Sequence, residues 1–204
     1  MTAPLTPPVR GSASYDAPVP RPQNRELAAG AGALLEAAGL TVGLAESCTG
    51  GLLCAELTAV PGSSAYVVGG VTAYANSLKT SLLGVPKDLI ATNGAVSAEV
   101  ATSMAIGVRA LLRCDIGLAA SGIAGPVRDA SEKPAGLCYV ALVEGDPPLH
   151  LTRLFTRNED LGRHRNRSEV VALALRGLVE HLTARQTAAP GGGAPPRSAP
   201  TVAP

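Results

Sequence analysis

No uninterrupted apolar run in the 204 residues reaches the roughly 18 that a membrane-spanning helix needs. The opening stretch MTAPLTPPVRGSASYDAPVPRPQ lacks the apolar middle of a secretory signal, so a cytoplasmic location is expected and no membrane partner. No CxxC pair occurs among Cys48, Cys54, Cys114 and Cys138, and a chain of this length has little need of disulfide staples. The four are read as reduced core or site residues. An excess of one charge is missing too: Lys and Arg total 17 against 16 Asp and Glu, which gives no sign of a nucleic-acid partner. Lysine itself is scarce, with only Lys79, Lys87 and Lys133 beside fourteen arginines.

What is present suffices for one good core, since 46% of the residues are hydrophobic. Residues 1–24 are proline-rich, and 186–204, with the run QTAAPGGGAPPRSAPTVAP, are rich in proline, glycine and alanine. Neither can bury enough apolar surface to offset ordering, so both are expected to be disordered tails around a domain at 25–185. The chain has no internal repeat.

Within that domain the apolar periods alternate. Residues 25–38 read as a helix, TVGLA at 41–45 as a short buried strand, and Leu53, Leu57 and Val60 as one face of a following helix. AYVVGGVTAY at 65–74 is rich in strand formers, and SLKTSLLG is a short helix closed by Gly84. Ser97 suits the cap of a long helix that turns Val100, Met104, Val108 and Leu111 inward. DIGLAAS at 115–121 is another buried strand, GLCYVALV and LHLTRLF form a hairpin pair, and Ser168 opens a last helix using Val171, Leu175, Leu178 and Leu182. Helices interleaved with strands, and a late hairpin, imply a layered α/β/α single domain with a mixed sheet.

Two polar loops follow apolar strands: ESCTGG from Glu46 to Gly51, and SGIAGP from Ser121 through Gly122 and Gly125. Loops at the carboxyl ends of such strands occupy the usual ligand crevice. ESCTGG has neither the lysine of a phosphate-binding loop nor a GxGxxG fingerprint. His150, His164 and His181 all lie late in the chain, in a strand or in charged surroundings that suit a solvated surface role, and no ligand spacing suggests a metal. A hydroxyl nucleophile with a lysine or tyrosine base is the remaining chemistry, and TAYANSLKTSLLG offers both Tyr74 and Lys79. If Asn76 caps the short helix, Lys79 falls in its first turn, where the dipole disfavours a cation and lowers its pKa. An ordinary solvated helix lysine, and a core tyrosine with a wet tip, are the plain alternatives. Ser47 is favoured over Cys48 as nucleophile, because a reactive thiolate needs a neighbouring cation or imidazole. Helix-terminal amides around Thr49, Gly50 and Gly51 could then stabilise an oxyanion.

AESCTGG, GSSAYVVGGVTAYANSLKTSLLGV, NGAVSAEVATSMAIG, SGIAGP and EKPAGLCYVAL, in that order, resemble the C-terminal domain of the CinA family, the nicotinamide-mononucleotide amidohydrolases, over roughly residues 25–182. The resemblance implies hydrolysis of the carboxamide of nicotinamide mononucleotide to nicotinate mononucleotide and ammonia, with Ser47 as nucleophile, Lys79 and Tyr74 assisting, and no cofactor. Glu46 and Asn76 would orient the catalytic groups, although Glu46 equally suits a structural role with backbone amides. Thr49, Ser97 and Ser121 are candidate substrate contacts, with Ser97 equally a helix cap. Arg163 and Arg167, four residues apart, could share one face and grip the substrate phosphate, or pair with Glu159, Asp160 and Glu169 as a charged surface. The sequence departs from the family where VRDAS follows GIAGP, and a short proline-rich tail stands in place of the N-terminal domain of larger CinA proteins. The rival expectations are a non-catalytic nucleotide-binding or regulatory module of the same fold and, given YAN, a Ser-Lys hydrolase of another amide, which the lack of SxxK disfavours. Assembly as a homodimer or higher homo-oligomer is left open.

Overall fold

The computed structural model describes residues 22–126, 133–145 and 150–188. Five strands, Val42–Glu46 (β1), Val67–Thr72 (β2), Ile116–Gly122 (β3), Leu137–Glu144 (β4) and His150–Asn158 (β5), form one sheet in the order β2-β1-β3-β4-β5. β1 runs parallel to β2 and β3, whereas β4 is antiparallel to both β3 and β5. The helices are Pro22–Ala38 (α1), Leu52–Thr58 (α2), Asn76–Leu83 (α3), Lys87–Asn93 (α4), Ala98–Leu112 (α5) and Arg163–Ala188 (α6).

Strand alternation sorts the core into two layers. Leu44, Leu118 and Leu142 pack with Ala31 and Leu35 of α1, Leu53 and Leu57 of α2, and Leu175 and Leu178 of α6. The residues one step on, Ala45, Ala119 and Ala141, face Leu83 of α3 and Val100, Met104 and Val108 of α5. A mixed sheet between two helical layers is therefore the observed architecture. The second face is lined by small residues for a steric reason. A Cβ on Gly117 would collide with the Ala105 carbonyl, and one on Gly107 with the Leu83 carbonyl, so these glycines bring α5 onto the sheet and α3 onto α5. That close stacking carries α3, with Lys79, towards the end of β1.

Several local expectations need correction. Leu111 is 50% exposed, because the buried stripe of α5 runs from Val108 to the partly buried Leu112, one position further on. The last helix begins at Arg163, so Ser168 lies inside it, where its backbone carbonyl and hydroxyl both accept from Asn24 Nδ2. Ala75, not Asn76, occupies the cap position of α3, and no side chain caps that helix; Asn76 is its first residue and is exposed. His181 is buried rather than solvated, since Glu144 of β4 pairs with it (Nε2–Oε2 2.5 Å) and with Arg185. These partners hold the Glu144 carboxyl below its usual range, the His181 hydrogen bond contributing most. Ser97 does cap α5, accepting from Val100 N at 3.3 Å. The VRDAS departure and both tails, apart from 22–24 and 186–188, which are helical, lie outside the described residues.

Candidate active site

Parallel strands deliver their following loops to one end of a sheet. Here the turn after β1, the segment 73–75 after β2 and the loop 123–126 after β3 gather beside the start of α6. Ser47, the first residue past β1, is fixed by its amide, which donates to Ala120 O at 2.9 Å. The residue is only 8% exposed.

Lys79 comes from α3 to meet it. Its Nζ lies 3.2 Å from Ser47 Oγ, 3.0 Å from Ala73 O and 3.1 Å from Tyr74 O. The lysine is 1% exposed, and no carboxylate pairs with it among the described residues. Burial accordingly lowers its pKa from the ordinary 10.5. The direction agrees with the sequence expectation, but desolvation rather than the helix dipole is the main cause. A neutral amine has two N–H donors and one lone pair. The two carbonyls can take both donors, leaving the lone pair for the Ser47 hydroxyl.

Cys48 presents the opposite case. It is buried in the core, and desolvation pushes its thiol up to about 12, outweighing the lowering effect of its backbone hydrogen bond and of Arg167. The thiol is therefore protonated at neutral pH, which leaves Ser47 as the better placed nucleophile of the pair.

Glu46, 1% exposed at the end of β1, accepts from Gly51 N (2.9 Å), Leu53 N (3.1 Å) and Cys54 N (2.8 Å). One carboxylate thus satisfies most of the orphan donors of α2, which has no side-chain cap of the ordinary kind. Its role is to shape the turn, with Gly51 at φ 92° in the left-handed region that glycine adopts freely. Gly50 N donates to Ser47 O, so neither glycine amide is spare. The amides of Cys48 and Thr49 have no backbone acceptor among the described residues. They, rather than the glycine amides, are the turn donors left without a backbone partner, on residues that are themselves buried.

The remaining candidates fall into two sets. Ser121 Oγ donates to Ala95 O (2.8 Å), tying the 94–97 loop to the end of β3, whereas Ser97 Oγ donates to Gly94 O (3.1 Å) within that loop. Lys133 braces it from the other side through Asn93 O (2.9 Å) and Val96 O (2.6 Å). Around the mouth, Arg163 donates to Gly125 O (2.8 Å) and to Tyr74 Oη (3.2 Å), and Arg167 to Thr49 O (2.6 Å). Tyr74 is 59% exposed and meets Lys79 through its backbone carbonyl, while its hydroxyl faces Arg163 rather than Ser47. Thr49 is fully buried, with its hydroxyl unpartnered among the described residues, and Gly122 joins β3 to the loop. Asn76 makes no side-chain hydrogen bond that reaches the site among the described residues.

Sequence reasoning overlooked Asn166. It is 1% exposed, donates to Ala124 O (3.1 Å) and Asp160 Oδ1 (2.7 Å), and accepts from Leu161 N (2.9 Å), tying the start of α6 to the 123–126 loop. The signal was its spacing: Asn166 stands four residues before Val170 and eight before Ala174, on the buried stripe of α6.

Residues 24–182 match the CinA C-terminal domain family. A CinA-like protein of Citrifermentans bemidjiense is 47% identical over 160 residues, covering 78% of this chain and 37% of that protein. A CinA-like protein of Gloeobacter violaceus is 53% identical over 116 residues, covering 57% of this chain and 27% of that protein. The chain thus spans well under half the length of these curated relatives. Among solved structures, the competence/damage inducible protein CihA from Agrobacterium tumefaciens superposes with a TM-score of 0.74 at 36% identity, covering 79% of this chain and 96% of that one. The competence damage-inducible protein A of Klebsiella pneumoniae gives 0.73 at 31%, covering 78% of this chain and 97% of that one. Since that family model spans residues 24–182, most of the chain, the chain belongs to the CinA C-terminal domain family.

Proposed function

We propose that this protein hydrolyses the carboxamide of nicotinamide mononucleotide to nicotinate mononucleotide and ammonia, using Ser47 as nucleophile and Lys79 as its base. The observation that carries this reading is the buried Lys79 Nζ, 3.2 Å from Ser47 Oγ and otherwise held by two backbone carbonyls. The choice of substrate rests on the family resemblance.

Unprotonated Lys79 takes the hydroxyl proton as Ser47 Oγ attacks the carboxamide carbon. The tetrahedral oxyanion is received by the amides of Cys48 and Thr49. Collapse breaks the C–N bond, the Lys79 ammonium returns its proton to the leaving nitrogen, and ammonia departs from an ester on Ser47. Water, deprotonated by Lys79, attacks that ester; the acid is released and the Ser47 hydroxyl restored. Atoms balance with water as the only co-reactant, so no cofactor is required.

The start of α6 supports an anionic substrate. Arg163, His164 and Arg165 fill its first turn, where no acidic residue stands, although the helix dipole favours negative charge there. A phosphate near Arg163 would relieve that cost. Incubation of the protein with nicotinamide mononucleotide tests the assignment: ammonia and nicotinate mononucleotide should form in equal amounts. Intact substrate after prolonged incubation with folded protein would refute it.

A further inference from the structure

Three consecutive carbonyls in the loop after β3 are each taken by a donor from outside that loop. Gly136 N donates to Ile123 O (2.7 Å), Asn166 Nδ2 to Ala124 O (3.1 Å) and Arg163 to Gly125 O (2.8 Å). A trans peptide is planar, with its C=O and N–H on opposite sides. Drawing the Ile123 carbonyl towards Gly136 therefore turns Ala124 N–H the other way, and drawing the Ala124 carbonyl towards α6 does the same to Gly125 N–H. Neither amide has an acceptor among the described residues, although both residues are buried. Buried amides are nearly always paired, so these two are ready for an acceptor that arrives with a ligand.

Their surroundings suit an anion. Arg163, which holds Gly125 O, also reaches the Tyr74 hydroxyl at the mouth of the site. Gly125 is at φ 85°, the left-handed half of the arrangement in which successive amides converge on an anion. Of the three anchors, Gly136 N is a backbone group and Arg163 brings its own charge, whereas Asn166 contributes only its hold on the peptide. It is 1% exposed, next to Arg167 in the chain, and its amide is fixed by Leu161 N (2.9 Å) and Asp160 Oδ1 (2.7 Å). Burial alone does not call for an amide here, since Val170 and Ala174 cover the same stripe of α6 with apolar side chains.

We propose that Asn166 is a positioning residue: by holding the Ala124 carbonyl against α6 it turns the Gly125 amide, beside the Ala124 amide and the Arg163 guanidinium, towards the phosphate of the bound nucleotide. The inference rests on the reading of this site as one for nicotinamide mononucleotide. Asn166 makes no hydrogen bond to Ser47 or Lys79 among the described residues, so its part is in binding and not in the chemistry.

Calorimetric titration of the full chain with nicotinate mononucleotide, the product, reads binding without turnover, and ammonia release scores the reaction separately. Asn166→Leu frees the Ala124 carbonyl from its donor. Asn166→Asp, the milder change should the leucine variant not fold, keeps the acceptor for Leu161 N but sets a carboxylate against that carbonyl. Each should weaken nicotinate mononucleotide about tenfold, while nicotinate riboside, which lacks the phosphate, binds variants and wild type alike. In turnover, KM for nicotinamide mononucleotide should rise by the same factor with kcat within about twofold of wild type, a split that mere loss of folded protein does not give. Asp160→Ala removes the other acceptor of Asn166 Nδ2 and should bind as the wild type does. Product binding without ammonia release would fail the reaction alone, and the same affinity ratios would still support the positioning. Wild-type affinity in a folded Asn166 variant, equal weakening in Asp160→Ala, or no product binding by the wild type would overturn the proposal.

Discussion

Lys79 Nζ, 1% exposed, lies 3.2 Å from Ser47 Oγ, with the carbonyls of Ala73 and Tyr74 as its other partners and no carboxylate paired with it among the described residues. A carboxylate neighbour would favour the ammonium; burial with neutral acceptors alone favours the amine. In the proposed mechanism the same lysine is both a cost of folding and the base that deprotonates the serine.

Lys79→Arg should lose roughly a hundredfold or more in kcat/KM, nearly as much as Lys79→Met, because arginine retains charge but cannot give up a proton near neutrality. The sign of the pH effect follows from the lowered pKa of Lys79. The unprotonated fraction grows as pH rises through that depressed value, so the wild-type rate should climb with pH and level off below 10.5, the ordinary lysine value. A pH–rate profile with near-normal activity in Lys79→Arg would make the lysine an electrostatic accessory.

Local pattern was enough to mark the strand, polar turn and helix around Ser47, and scarcity was enough to single out Lys79 among three lysines. The carbonyls that cage the amine were not legible, because Ala73 and Tyr74 act through backbone atoms that any residue carries. Glu46 admitted two roles until the amide of Gly51 and those of Leu53 and Cys54 in α2 were seen to converge on it. His181 and Leu111 were misread because their environments depend on which element packs beside them: Glu144 of β4 in one case, open surface at the end of α5 in the other. Periods set faces well within an element and poorly at its ends.

Cys48→Ala and Cys48→Ser should keep most of the activity. The thiol is buried and pushed up to about 12, so it contributes packing rather than nucleophilicity. Steady-state rates beside urea unfolding separate the two: a normally stable Cys48→Ala protein without turnover would reassign the nucleophile.

Glu46→Ala should destabilise the fold by about 3 kcal/mol, since it strands three amide donors that a single carboxylate now satisfies. Glu46→Gln, which keeps an acceptor oxygen, should lose about 1 kcal/mol. Urea denaturation measures both. Equal, negligible changes would show that water replaces the carboxylate at the start of α2.

The two arginines should behave differently. Exposed Arg163 reaches Gly125 O and the Tyr74 hydroxyl, whereas Arg167 holds Thr49 O in the nucleophile turn. Arg163→Ala should therefore reduce kcat/KM for nicotinamide mononucleotide by roughly ten- to a hundredfold, with little effect on nicotinamide riboside, which lacks the phosphate. Arg167→Ala should impair both substrates through the turn. Equal losses on the two substrates in Arg163→Ala would remove it from phosphate binding.

Ser47→Ala offers the most direct test of the serine mechanism. With the fold intact by circular dichroism, ammonia release from nicotinamide mononucleotide should fall by roughly a thousandfold or more relative to wild type, because no other hydroxyl meets Lys79 Nζ among the described residues. Wild-type ammonia release in folded Ser47→Ala protein would contradict it outright.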